Sequence, residues 1–249
     1  MRIMQNYKLE TFKFQNHTLE LYTLPGLFRP NAVTTRFTRA VEGLYQATVF
    51  DIGTGIGPLA IWAGLEGAKE VYAVDPVPEH IKVARLNIKK YGLEEKVHAY
   101  EGNIFSTPER SLEGIRADII MGDVSSIACE AARVLGWYPD NVPTGGYDGA
   151  DIGVGLLEHA RHFLAENGIV YFAIAIGLSN YERIIDAANR NFNNVEAVNQ
   201  QPLFIPFESK DDVAALESAY ECKPDFIKIL EQRGRFGWQG QMYKASNPK

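Results

Sequence analysis

Apolar and polar residues alternate over positions 7–23. Tyr7 and Leu9 set one phase, Phe12 and Phe14 resume it after a one-residue shift, and Leu19, Leu21 and Thr23 carry it on the return. Gln15-Asn16-His17 lies between the two runs and reads as a turn, so the pattern predicts a β-hairpin. Leu24-Pro25-Gly26 ends it. Thr34 or Thr35 is placed to cap a helix from about Arg36 to Leu44. From Thr48 onward short apolar runs alternate with helical periodicity. Strands are predicted at 49–52, 71–75, 97–100, 117–121 and 169–176. Helices are predicted at 58–65, 79–91, 126–135, 151–166 and from Ser179-Asn180 to about Asn191. Pro58 stands in a first turn, and Gly168 is read as the stop of the 151–166 helix.

Strands separated by helices at this spacing imply a parallel sheet with helices on both faces and right-handed crossovers. The tail differs. Residues 195–199 and 238–244 read as strands, and two short helical patterns, 209–220 and 224–232, lie between them. The expectation is therefore an α/β chain of one domain over 1–249. A hairpin and helix occupy 1–44, and an insertion over 203–235 is placed to act as a lid.

Composition narrows the class. With 249 residues, 46% hydrophobic and 22% charged, the chain is neither disordered nor collagenous. Its net charge of −6 gives no broad basic face for non-specific nucleic-acid binding, so a nucleic-acid partner is not expected. Two cysteines, Cys129 and Cys222, make neither a disulfide scaffold nor a zinc site. His159 and His162 lack the acidic motif that would complete a metal site and read as a solvated helix face, so no metal is expected. No apolar run nears the roughly 20 residues of a spanning helix, and the start of the chain does not resemble a signal peptide. These features together predict a cytoplasmic protein with no membrane partner.

The most informative segment is Asp51-Ile52-Gly53-Thr54-Gly55-Ile56-Gly57-Pro58, a strand-to-helix turn with alternate glycines. Such a turn lets a ligand approach the backbone with no Cβ in the way. A dinucleotide fingerprint would place its third glycine at position 58, where Pro58 stands, and no Lys-Ser/Thr follows to make a phosphate loop. Asp51 before the loop repels a pyrophosphate and suits a cationic ligand. Asp75 ends the next strand, where a carboxylate can accept from both hydroxyls of a ribose; it is also placed to cap the helix after Pro76. After the third strand, Gly102-Asn103-Ile104 is either a plain turn or a contact for an adenine edge and ring face.

Together these segments resemble the class I S-adenosylmethionine-dependent methyltransferases over about residues 45–200. The resemblance implies a Rossmann-like seven-stranded sheet in the order 3-2-1-4-5-7-6, with strand 7 antiparallel. It implies S-adenosylmethionine as cofactor, with Gly53, Thr54, Gly55 and Gly57 near its methionine part. Asp51, Asp75, Pro76 and Asp123 line the same site, and Asn103 and Ile104 frame the adenine. The nearest branch is the small-domain group, which is similar in three places: the lead-in Leu24-Pro25-Gly26-Leu27-Phe28-Arg29-Pro30, Asn87, and Gly145-Gly146-Tyr147-Asp148-Gly149 before Asp151. That group includes release-factor glutamine methyltransferases and carries Asn-Pro-Pro-Tyr after strand 4. Here the position reads Gly122-Asp123-Val124-Ser125, so amide methylation is not inherited.

Asp123 is the candidate clamp or base, with Ser125 beside it; either residue is equally placed to cap the next helix. Tyr22, Phe28 and Arg29 are candidates for the substrate-pocket wall, and Glu208 and Tyr220 are positioned to reach from a lid. The lost clamp, the acidity and the insertion favour a methyltransferase acting on a small metabolite. The alternatives are a SAM-using enzyme that does not methylate (for example by internal displacement to methylthioadenosine), a SAM-binding module, and a protein or RNA methyltransferase.

Overall fold

The structure, a computed structural model, describes residues 7–102, 112, 114–138, 142–220 and 224–249. The chain divides into two compact units, residues 1–123 with 162–171 and residues 124–161 with 172–249.

In the first unit, β1 (Lys8–Lys13) and β2 (Thr18–Thr23) pair antiparallel, Phe12 opposite Leu19. Burial of Leu19 and Leu21 on one face explains the alternation. The next helix, α1 (Ala32–Ala40), starts four residues earlier than the sequence pattern suggested. Asn31, not Thr34 or Thr35, is its N-cap: Oδ1 accepts from Val33 N at 2.7 Å and Thr34 N at 3.2 Å. Thr34 completes the capping box by accepting from Asn31 N.

Next come β3 (Thr48–Ile52), α2 (Pro58–Leu65), β4 (Glu70–Asp75), α3 (Pro78–Lys90), β5 (Val97–Glu101) and β6 (Ala117–Gly122). Pairings β3–β4, β3–β6 and β4–β5 are parallel. With the first part of β7 (Leu164–Ile176), the order in this unit is β5-β4-β3-β6-β7. The helix expected over 151–166 ends at Ala160 and the strand begins at Leu164. Ala117 N donates to Phe163 O at 2.7 Å, so strand pairing takes the backbone before the helical pattern in the side chains runs out.

In the second unit, α4 (Cys129–Val134), α5 (Asp151–Ala160) and α6 (Tyr181–Asn191) accompany the rest of β7 and two long strands, β8 (Phe192–Pro206) and β10 (Arg235–Pro248). The order here is β7-β10-β8, and β10 pairs antiparallel with β8 with a bulge between Gly240 and Met242. Between β8 and β10 lie α7 (Lys210–Ala219) and β9 (Leu230–Gln232). The helix expected over 224–232 is not formed: β9 pairs with β10, Leu230 opposite Gly237. The long strands claim residues through Pro206 and from Arg235, so the insertion is shorter than the 203–235 read from the sequence.

Candidate active site

The site is built on the first unit, where β3, β4 and β6 end. Gly53, Gly55 and Gly57 have φ of 74°, 56° and 89°. This left-handed backbone folds the loop back on itself and is open to glycine at little cost. At Gly57 a Cβ would also meet Ala84 Cβ at 3.3 Å, so a larger residue would require α3 to give by a few tenths of an ångström. Pro58 then enters α2 at its first turn, where a missing N–H costs no hydrogen bond.

Three carboxylates gather around this loop. Asp51 is 1% exposed and accepts from Thr54 Oγ1 at 2.6 Å. Burial pushes its carboxyl up to about 7; the Thr54 hydroxyl opposes this, and the charges of Asp123 and Asp75 add to it. Asp123 lies half-buried at the end of β6, and its Oδ2 accepts from Thr34 Oγ1 at 2.7 Å. Desolvation raises it to about 6 against that hydrogen bond. One cleft is lined by both acids together with Phe28, Pro30, Thr34 and Gly53 to Ile56.

Asp75 sits behind the loop. Its Oδ2 accepts from Gly55 N at 2.9 Å; its Oδ1 accepts from Val77 N at 2.9 Å and meets His80 Nδ1 at 2.9 Å. A carboxylate has about four lone-pair directions, so three are engaged and one remains for a ligand. Asp75 does not cap α3 through the N2 or N3 amide; it ties the glycine loop to the helix start.

The other candidates fall in different places. Pro76 is exposed beside Asp75 and is absent from the cleft wall. Tyr22 lies on β2, its ring edge-on to Tyr7 at 6.2 Å, and its backbone is held by Asn87. Phe28 lines the cleft, whereas Arg29 does not: its guanidinium pairs with Glu10 at 2.6 Å on the surface. Ser125 belongs to the second unit, and its Oγ is buried with no hydrogen-bond partner among the described residues. Neither Asp123 nor Ser125 caps α4, whose N-cap is Ala128 with no side-chain bond. Asn103 and Ile104 lie outside the described residues. No group of three or more metal-ligating side chains occurs among the described residues.

His80 was missed by sequence reading, and Asn87 entered it only as a point of resemblance. His80 and Asn87 stand on α3 at positions of the Ile81-Ala84-Ile88 apolar stripe, 2% and 0% exposed. A polar residue on an apolar stripe must find hydrogen bonds, which was the available signal. Asn87 pairs with both backbone groups of Tyr22, and its Nδ2 also donates to Ile56 O at 2.9 Å.

The positive-φ glycine cradle, an acid at the end of β4 and two further carboxylates agree with the resemblance to class I S-adenosylmethionine-dependent methyltransferases, and the known proteins the chain is similar to bear out that resemblance and its cofactor, S-adenosylmethionine. The family model described as ribosomal protein L11 methyltransferase (PrmA) matches residues 34–136. The chain is 32% identical over 104 residues to a ribosomal protein L11 methyltransferase of Desulforamulus reducens, covering 41% of this chain and 34% of that one. It is 30% identical over 189 residues to a release factor glutamine methyltransferase of Thermosynechococcus vestitus, covering 68% and 65%. The chain thus spans less than two thirds of the length of these relatives. Among solved structures, a Thermus thermophilus 16S rRNA N2 G1207 methyltransferase bound to AdoMet and guanosine superposes with a TM-score of 0.64 at 15% identity, over 99% of this chain and 52% of that one.

These relatives correct two expectations. Proteins named for L11, release-factor and uL3 methylation overturn the small-metabolite acceptor and the small-molecule partner. The error arose from treating loss of the Asn-Pro-Pro-Tyr clamp and an acidic net charge as signs of a small substrate. The missing clamp constrains the acceptor atom and the net charge the acceptor's charge; neither constrains its size. No helix among the described residues is long and apolar enough to cross a membrane.

Proposed function

We propose that the protein transfers a methyl group from S-adenosylmethionine to a nitrogen of a protein acceptor, with Asp123 as the group that receives the acceptor's proton. The observation carrying this reading is the position of Asp123: it shares one cleft with the glycine loop, inside the stretch matched by the L11 methyltransferase family.

When bound, S-adenosylmethionine supplies an electrophilic methyl group whose leaving thioether is neutral. No acid is needed on the leaving side, so the chain's work is to align the nucleophile, exclude water and take one proton. Thr34 donates to Oδ2 of Asp123 and fixes the carboxylate; Oδ1 has no partner among the described residues. A carboxylate raised to about 6 is ionised near neutral pH and is a stronger base than an ordinary carboxylate. Such a group fits an amine better than an amide, which needs a clamp that orients its lone pair. Asp51 and Asp75 lie on the cofactor side, where their charge favours a cation. Phe28 and Pro30 form the apolar wall toward the acceptor. The translation-linked acceptors of the relatives and the small cysteine count support a cytoplasmic site of action.

The test is incubation with methyl-labelled S-adenosylmethionine and separate pools of ribosomal proteins, release factors and ribosomal RNA. Label that protease removes and ribonuclease leaves is expected, and Asp123→Asn should lower the rate by about 10²–10⁴-fold. Label confined to RNA, or incorporation into no pool, would sink the proposal.

A further inference from the structure

His80 is buried on α3, and its two ring nitrogens meet groups of fixed character. Phe28 N lies 3.2 Å from Nε2, and a backbone N–H can only donate. Nε2 is therefore the acceptor, and the imidazole proton sits on Nδ1, donated to Asp75 Oδ1 at 2.9 Å. A second relay has the same form. Asn31 N donates to Thr34 Oγ1 at 3.2 Å, and Thr34 donates to Asp123 Oδ2 at 2.7 Å. Each end of the short segment from Phe28 to Asn31 is thus bound, through one buried side chain, to a carboxylate of the site.

We propose that His80 is a positioning residue that couples the Phe28 wall of the cleft to the Asp75 carboxylate. Asp75 also holds Gly55 N, so loop, acid, imidazole and wall form one hydrogen-bonded body. A cofactor that engages Asp75 fixes the wall against which the acceptor rests, and a displaced wall loosens the acid. The inference rests on reading the cleft as the S-adenosylmethionine site.

Two conservative variants separate the halves of the relay. Asn places its amide near Nδ1 and keeps the donor to Asp75; Gln reaches toward Nε2 and keeps the acceptor for Phe28. The probe is S-adenosylhomocysteine, read by calorimetry, alongside amide hydrogen exchange at Phe28. His80→Asn should bind within about threefold of the unmodified protein while the Phe28 amide exchanges about tenfold faster or more. His80→Gln should lose about tenfold in affinity and retain Phe28 protection. In the unmodified protein S-adenosylhomocysteine should slow Phe28 exchange, and His80→Gln should abolish that slowing, which a merely structural role would not do.

Equal losses in both variants, or no change in either, would overturn the proposal. Should either variant fail to fold, ¹⁵N spectra of the unmodified ligand-free protein decide it. The Nδ1–H tautomer with a protected Phe28 amide supports the relay, and the Nε2–H tautomer refutes it. The Nδ1–H tautomer and Phe28 protection in a protein that binds no S-adenosylhomocysteine would remove the cofactor reading and leave the relay standing.

Discussion

Below their raised pKa values, Asp51 and Asp123 hold protons that an unfolded chain would release at the same pH. Their carboxyls lie at about 7 and about 6, raised chiefly by burial from the ordinary 3.8. A raised acid binds more protons in the folded state. The stability contributed by these two groups is therefore full below pH 3.8 and is lost as pH rises through 6 and 7. A cation set beside them reverses the preference and expels the proton. Affinity for S-adenosylmethionine should accordingly rise between about pH 6 and 8, and more steeply than affinity for S-adenosylhomocysteine, whose sulfur is neutral. Calorimetry in buffers of different ionisation heat reads the proton release directly; parallel pH profiles for the two ligands would contradict the assignment. Asp51→Asn should flatten the difference. The place of Asp51 before the glycine loop was legible in the sequence because it needed only the order of residues around the glycines. The single free direction on Asp75 was not, because it depends on which partners the fold brings to its oxygens.

Among the elements, α3 does more than cover the sheet. Through Asn87 it grips the edge of β2 and the carbonyl of Ile56, so hairpin and glycine loop are set by one side chain. Asn87→Ala leaves buried backbone groups unpaired and should cost about 2–3 kcal/mol, read as a lowered denaturant midpoint with unchanged slope. Asn87→Asp should recover little, since a carboxylate cannot donate to Ile56 O or Tyr22 O. Element existence was readable where local signals agreed: α2 spans Pro58–Leu65 as the proline and the apolar run predict. It failed where a distant partner decided. Phe226, Ile227, Ile229 and Leu230 fit a helical period, yet β9 forms because β10 offers a strand to pair with. The start of α1 was misplaced for a different reason. Asn31 follows Pro30 and caps earlier than the two threonines, and sequence alone ranks all three as competent caps.

For the molecule as a whole, the net charge of −6 now has another meaning. A negative enzyme repels nucleic acid but attracts a basic protein, and long-range attraction is screened by salt. With a basic ribosomal protein as acceptor, KM should rise severalfold between low and physiological ionic strength while kcat stays level. A KM that falls with salt would point to an acceptor of the opposite charge. The acidity was visible from the start, but its use depends on the acceptor, and no residue pattern states that. The segment Gly145–Gly149 also bears on how this chain can change. A Cβ at Gly145 would lie 2.4 Å from Gly149 O, one at Gly146 2.0 Å from Asp151 Oδ2, and one at Gly149 2.7 Å from Ser179 Cβ. Each glycine is blocked by a different neighbour, so no single compensating change frees two of them. Tyr147 between them is 74% exposed. A saturation library over these five positions should therefore return one variable site set in a fixed frame. Divergence here would proceed by exchanging the residue displayed, with the loop that displays it left unchanged.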